Sequence, residues 1–223
     1  TVDPLPTVAN AGADQTICAP TATLAANTPT IGTGAWTVIA GTGVVTSTNN
    51  PSSGVTGLTT GVNTFVWTIT NGTCAASTDT ISITVDPLPT VANAGADQTI
   101  CSAIATLAAN TPVIGTGAWT VIAGTGVVTT ANNPSSGVTG LTTGVNTFVW
   151  TITNGTCAAS TDTISITVDP LPTVANAGPD QTICAPTATL AANTPVVGTG
   201  AWTVIAGTGV VTTANNPSSG VTG

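Results

Sequence analysis

Hydrophobic and polar residues alternate most clearly in two stretches of the chain, residues 62–70 and residues 77–85. A period of two is typical of β-strands that turn one face toward a core. The predicted inward positions are Phe65, Trp67, Ile69, Ile81, Ile83 and Val85. Asn71-Gly72 lies between the two stretches, and its tolerance of positive φ favours a tight turn. The pattern therefore predicts a β-hairpin, with Cys74 just after its turn.

Five shorter segments also favour strands, each set off by Gly, Pro or Asn. They are residues 14–18, 22–26, 35–39, 44–48 and 53–58. No segment shows a helical period. About seven short strands in some 80 residues are typical of an all-β, two-sheet sandwich.

The pattern repeats along the chain. The same twelve residues begin at Thr1, Thr84 and Thr167, which gives a period of 83 residues. Repetition at a fixed period predicts an array of similar units, and we interpret the chain as a window cut from a longer array. The predicted boundaries are 1–6 (end of a preceding repeat and linker), 7–85 (repeat 1), 86–89 (linker), 90–168 (repeat 2), 169–172 (linker) and 173–223 (a truncated repeat 3).

The copies are nearly identical. Residues 58–83 and 141–166 match throughout, and the first 57 positions differ at eight offsets. These offsets are Ala13, Ala19, Pro20, Thr21, Thr30, Ile31, Ser47 and Thr48. The Asp-Pro-Leu-Pro linkers favour extended, stiff backbone, so we expect neighbouring domains to be held apart in a rod.

Charge excludes several classes of function. The chain has no Lys, Arg, His or Glu, and its formal net charge is −8. Without cations it cannot neutralise nucleic-acid phosphates, and an anionic membrane surface would repel it. No apolar run approaches the roughly 20 residues that span a bilayer. With no His, Lys, Glu or Tyr to act as a general base, we expect no enzyme activity.

Five cysteines follow the repeat, and each full copy contains two that are separated by 56 residues. We predict the disulfides Cys18–Cys74 and Cys101–Cys157, with the partner of Cys184 outside the window at position 240. Paired cysteines in small domains indicate an oxidising compartment. Such a loop would contribute roughly 3–4 kcal/mol in the chain-entropy model. Free buried thiols are the alternative, and one pair per repeat without His does not make a zinc site.

Two further sets of residues are candidate sites. Asn10, Asp14 and Asp79 offer the oxygen ligands that calcium prefers, but so few carboxylates also fit an Asx turn or a strand edge. Trp36 and Trp67 could stack on sugars, although the alternation groups Trp67 with core positions. We expect no other cofactor and no other metal.

Three segments carry a resemblance to a known family: residues 172–184 (PTVANAGPDQTIC), 147–157 (TFVWTITNGTC) and the following TDTISITV. They resemble the PKD-like immunoglobulin-fold repeats of giant Bacteroidota surface proteins. The resemblance implies tandem immunoglobulin-like β-sandwiches, export to the cell surface, often by type IX secretion, and roles in adhesion, gliding or filaments. Asp79-Thr80-Ile81 and Asp162-Thr163-Ile164 are similar to Bacteroidota O-glycosylation acceptors, which implies glycans on Thr80 and Thr163.

The position of the cysteines within such a domain differs from that in antibody domains. Cys18 belongs to an early edge strand and Cys74 to the last hairpin. We therefore expect the predicted bond to tie the edge of a sheet and not the two sheet centres.

Three functional hypotheses remain open. The first is a structural segment of an extracellular bacterial fibre, filament or adhesin stalk, in which copies of the repeat stack end to end. The alternative is a multivalent adhesive module that binds glycans or another cell surface. The third is lateral assembly through edge strands that lack charged gatekeepers.

Overall fold

A computed structural model describes residues 2–223 as a row of β-structured repeats. Repeat 1 contains β1 (Gln15–Ile17), β2 (Ala22–Thr23), β3 (Thr33–Ala40), β4 (Val44–Val45), β5 (Gly54–Thr56), β6 (Gly61–Thr70) and β7 (Ser77–Val85). Repeat 2 contains β8 (Gln98–Ile100), β9 (Ala105–Thr106), β10 (Thr116–Ala123), β11 (Val127–Val128), β12 (Gly137–Thr139), β13 (Gly144–Thr153) and β14 (Ser160–Val168). The third repeat contains β15 (Thr187–Thr189), β16 (Val210–Val211) and β17 (Gly220–Thr222).

Repeats 1 and 2 each form two sheets. In repeat 1 the larger sheet has the order β1-β7-β6-β3, and the smaller has the order β2-β5-β4. Repeat 2 reproduces both, as β8-β14-β13-β10 and β9-β12-β11. The prediction of an all-β chain of seven-stranded sandwiches is confirmed. Within residues 2–223 no helix is long and apolar enough to cross a membrane.

The hairpin of β6 and β7 supplies most of the core of repeat 1. Phe65, Trp67 and Ile69 are fully buried, as the alternation predicted. On β7, Ile81 and Ile83 are also buried. Burying large apolar side chains contributes about 1.5–3 kcal/mol each, so this hairpin is the main source of stability in the larger sheet.

A pair of tryptophans joins β3 to the hairpin. Trp36 lies opposite Trp67 in the ladder, with ring centroids 5.0 Å apart and planes tilted by 44°. The Trp36 indole N–H donates to the carbonyl oxygen of Asn50 at 3.1 Å, whereas that of Trp67 has no hydrogen-bond partner among residues 2–223. Gly34 leaves room for the Trp67 ring, which a Cβ at that position would overlap.

The smaller strands are shorter than the sequence predicts. β4 covers only Val44–Val45, whereas the alternation predicted residues 44–48. The backbone leaves the ladder because the buried Ser53 hydroxyl accepts a hydrogen bond from Ser47 N at 2.9 Å, which closes a turn there.

The first strand runs parallel to the last. β1 pairs with β7 in the register Gln15 to Ile83 and Ile17 to Val85. Ahead of β1 the chain continues beside β7, because Ala9 N donates to the hydroxyl of Ser77 at 2.8 Å. The segment from residue 9 to residue 17 therefore follows the whole length of β7 in one direction.

The third repeat forms only its smaller sheet, in the order β15-β17-β16. Residues 173–223 contain no counterpart of the β6–β7 hairpin. Residues 199–206, which match β3, form no strand, and Trp202 lines an open groove instead of a core.

Candidate functional site: the junction between repeats

The linker after repeat 1 is held by the hairpin turn of repeat 2. The Asp86 carboxylate accepts hydrogen bonds from Thr156 N at 2.8 Å and from the Thr156 hydroxyl at 3.0 Å. The Asn154 side-chain amide donates to the carbonyl oxygen of Pro87 at 2.8 Å. On the other side, Asp86 N donates to the carbonyl oxygen of Ile17 at 2.8 Å. Asp86 is thus bonded to both domains, and Pro87 is bonded to repeat 2.

A glycine makes this turn possible. Gly155 has a φ of 49°, in the left-handed region that favours glycine. A Cβ there would also overlap the Asp86 carboxylate. Both the backbone conformation and the close approach of Asp86 therefore require glycine at this position.

Part of this arrangement recurs at the start of the chain. The Asn71 side-chain amide donates to the carbonyl oxygen of Pro4 at 2.8 Å, and the Cys74 sulfur lies 3.4 Å from the carbonyl oxygen of Asp3. Gly72 repeats the positive φ, at 53°. We call this arrangement, in which a hairpin turn holds the Asp-Pro of the preceding linker, the linker clasp.

A disulfide crosses the junction. Cys18, at the end of β1, is bonded to Cys157, in the hairpin turn of repeat 2, with Cα atoms 4.9 Å apart. The two residues are separated by 139 positions in the sequence. The Cys157 sulfur lies 3.3 Å from the carbonyl oxygen of Pro87, so the bond closes directly over the linker clasp.

The predicted pairings Cys18–Cys74 and Cys101–Cys157 are wrong in this structure. Cys74 precedes β7, whereas Cys18 lies beside its far end, because β1 is parallel to β7. Nine residues at about 3.3 Å each separate the two ends by roughly 30 Å, whereas a disulfide requires Cα atoms within about 7 Å. Cys101 and Cys157 lie at opposite ends of β14 for the same reason. Cys74, Cys101 and Cys184 are free thiols.

The three candidate calcium ligands make backbone hydrogen bonds instead. The Asp79 carboxylate accepts from Ala11 N at 2.7 Å, and the Asp14 carboxylate accepts from Ser82 N at 2.8 Å. The Asn10 side chain accepts from Gly12 N at 2.9 Å, which is the Asx turn that the sequence left as the alternative. No group of three or more Asp or Cys side chains suited to a metal occurs in the described part of the chain.

The remaining candidate positions divide between surface and core. Thr80 and Thr163 are exposed on the outer faces of their strands, and their glycosylation remains a prediction. Trp36 is 2% exposed and Trp67 is fully buried, so both belong to the core of repeat 1. None of the eight variable offsets is buried in repeat 1.

Sequence reasoning missed the linker clasp and the inter-repeat bond. The hydrogen bonds from Ala9 to Ser77, from Ala11 to Asp79 and from Ser82 to Asp14 all join residues 68 positions apart. A constant separation is the mark of parallel strands. A prediction that the segment before Cys18 runs parallel to the last strand would have excluded the pairing within one repeat.

Comparison with known proteins supports the fold. No family model and no curated protein matches the sequence. Among solved structures, titin domains I67–I69 match 97% of this chain and 87% of theirs, with a TM-score of 0.50 and 9% identity. Sidekick-1 immunoglobulin domains 1–5 match 86% of this chain, with a TM-score of 0.48 and 13% identity. The insect immune protein hemolin, described in connection with homophilic adhesion, matches 74%, with a TM-score of 0.43 and 12% identity.

The matched region is 45% of the Sidekick-1 chain and 47% of the hemolin chain. The fold defines the chain as a row of immunoglobulin-like β-sandwich domains.

Proposed function

We propose that the chain is a structural segment of an extracellular fibre, filament or adhesin stalk on a bacterial surface, built by end-to-end stacking of its repeats. The observation that supports this proposal is the linker clasp. It occurs with the same residue types at residues 3–4 and at residues 86–87, and at the second place a disulfide closes it. A contact that recurs with the period of the sequence gives every domain the same neighbour interface.

The extracellular location and the bacterial source rest on different observations. Cys18–Cys157 is a disulfide between two domains, and such bonds persist in oxidising compartments. The resemblance to PKD-like repeats of Bacteroidota surface proteins favours export to that cell surface.

One observation favours a second candidate function, lateral assembly of arrays. Val38, Ile39, Val44 and Val62 are 41%, 58%, 61% and 58% exposed in repeat 1. Their counterparts in repeat 2 have almost the same exposure, at Val121, Ile122, Val127 and Val145. Apolar side chains that recur every 83 residues suit a partner with the same period, which is a second copy of the array.

Negative-stain imaging of the native material, combined with a glycan-binding screen of the chain, tests these proposals. A thin beaded thread is expected for end-to-end stacking, and a thicker ordered fibre for lateral assembly. The double variant Ile39→Asp and Ile122→Asp should convert thick fibres to thin threads. Thr28→Asp with Thr111→Asp, which are also exposed and are not predicted glycan acceptors, is the matched control that should not. Isolated monomers that bind glycans would contradict both structural proposals and favour the adhesive module.

A further inference from the structure

The segment before Cys18 is already extended in the folded repeat. From residue 9 to residue 17 it lies beside β7, held by the Ala9, Ala11 and Asp14 hydrogen bonds and then by the β1 ladder. It therefore leads from the end of the sandwich where the chain enters to the end where the linker leaves.

The segment after Cys157 is extended in the same way. Cys157 lies at the start of the last strand of repeat 2, and β14 then runs from Ser160 to Val168, at the other end of that sandwich. Asp169 N donates to the carbonyl oxygen of Ile100 at 2.8 Å, so the next linker leaves at the same place as in repeat 1.

We propose that the Cys18–Cys157 disulfide is a mechanical clamp that transmits tension past the two sandwiches. The shortest covalent route along the chain passes through residues 2–18, crosses the disulfide and continues from residue 157. The segment before Cys18 runs extended beside β7, and the segment after Cys157 continues into β14, so little additional chain can be drawn out between the two ends when the molecule is pulled. The residues between Cys18 and Cys157, which include the linker and most of both cores, lie outside this route.

The remaining cysteines are half-sites of the same clamp. Cys74 lies in a hairpin turn whose linker clasp matches that of Cys157, and Cys101 ends β8 as Cys18 ends β1. Each is thus placed to bond with the matching cysteine of an adjoining repeat, 139 positions away as in the observed bond. Every boundary in an extended array would then be crossed by a peptide linker and by a disulfide.

Each bond forms by the loss of two thiol protons and two electrons. The acceptor is the active-site disulfide of an extracytoplasmic thiol oxidase, which becomes a dithiol as the new sulfur–sulfur bond forms. A small dithiol reductant returns two electrons and two protons, which cleaves the disulfide, and the reductant is itself oxidised to a disulfide.

Counting free thiols by alkylation and mass spectrometry tests the pairing in the intact chain. Three alkylated cysteines are expected, and the variant Cys157→Ser should show four. The matched variant Cys74→Ser, whose surrounding sequence is the same, should show two and keep the disulfide. A single free thiol in the wild-type chain, together with linked peptides that join Cys18 to Cys74 and Cys101 to Cys157, would restore the pairing within each repeat and overturn the clamp.

Single-molecule stretching from terminal peptide tags tests the mechanical role. The 139-residue separation corresponds to about 480 Å of extended chain. The oxidised chain should therefore extend by about 480 Å less than the same chain in dithiothreitol. Cys157→Ser should extend fully without reductant, and Cys74→Ser should behave as the wild type. Equal extension of the oxidised and reduced wild-type chains would overturn the proposal.

A longer array tests the half-sites. Duplicating residues 84–166 adds two cysteines and one junction. We expect two disulfides and again three free thiols, because each added repeat closes one more clamp. One disulfide and five thiols would show that the clamp does not recur. These measurements do not depend on the proposed fibre, since a chain that forms no fibre in images can still show the thiol count and the shortened extension.

Discussion

Repeat 2 and the third repeat contain nearly the same sequence over their first 57 positions, yet they differ in structure. In repeat 2, Ala92 and Ala94 are buried, and in the third repeat their counterparts Ala175 and Ala177 are exposed. The smaller sheet forms in both. In the described residues the larger sheet occurs only where the hairpin of the last two strands is part of the sequence, whereas the smaller sheet also forms without it.

The largest expected difference comes from removing the equivalent tryptophan in repeat 2 and in the third repeat. Trp119→Ala should lower the free energy of unfolding of repeat 2 by about 3–5 kcal/mol, because Trp119 is 3% exposed and packs on Trp150. Trp202→Ala, at the same offset, should change stability by less than about 1 kcal/mol, since its ring lines an open groove. Urea unfolding followed by far-UV circular dichroism measures both. Equal effects would contradict the assigned role of the hairpin.

Two glycines at the same position of their repeats test the packing of the Trp150 ring. Gly117→Ala would place a Cβ against the Trp150 ring and should cost about 1–3 kcal/mol. Gly200→Ala is the matched control, because the nearest atom to a Cβ added at residue 200 is Pro195 Cγ, at 3.4 Å. We expect the control to alter the urea midpoint little. A destabilised Gly200→Ala variant would contradict the open surroundings of residue 200.

An aspartate pair tests the attachment of the first strand. The Asp97 carboxylate accepts a hydrogen bond from Ser165 N at 2.8 Å, so Asp97→Ala should destabilise repeat 2 by about 1–2 kcal/mol. Asp180→Ala, one repeat later, has no matching strand beside it and should be close to neutral. Thermal unfolding monitored by circular dichroism distinguishes the two variants. If both variants melt at the wild-type temperature, the carboxylate contact is not structural.

The smallest expected difference concerns the smaller sheet. Ser136 accepts from Thr130 N at 3.0 Å, and Ser219 accepts from Thr213 N at 2.9 Å. Ser136→Ala and Ser219→Ala should each cost about 1 kcal/mol, since each leaves a backbone N–H without its partner. Amide hydrogen exchange at Thr130 and Thr213 should rise by a similar factor in the two variants. A much larger effect in the third repeat would show that its smaller sheet depends on Ser219 alone.

The sequence predicted the parts of the fold that local alternation determines. The inward positions of β6 and β7 were correct because the side-chain period of a strand is independent of its partners. The disulfide pairing failed because a regular array places a cysteine in every hairpin turn, so the repeat alone does not distinguish Cys74 from Cys157 as the partner of Cys18. The deciding fact is the parallel direction of β1, a non-local property.

The candidate site shows the same contrast between what local sequence predicts and what only the non-local fold determines. Asp14 and Asp79 were singled out as possible calcium ligands, whereas in the structure their carboxylates accept hydrogen bonds from backbone N–H groups that only the folded register brings near. Asp86 was predicted only as part of a stiff linker, because its contacts with Thr156 lie 70 residues away.

The parallel pairing of β1 with β7 also sets an order in time. The residues that lie beside β7 are the first of their repeat to be synthesised. Their partners Ser77, Asp79 and Ser82 are synthesised 68 residues later. Contacts this distant in sequence slow folding, because a long loop must close before they form. The partner of Cys18 is synthesised later still, because Cys157 lies in the hairpin turn of the next repeat. The Cys18 thiol of repeat 1 therefore stays unpaired until repeat 2 has folded.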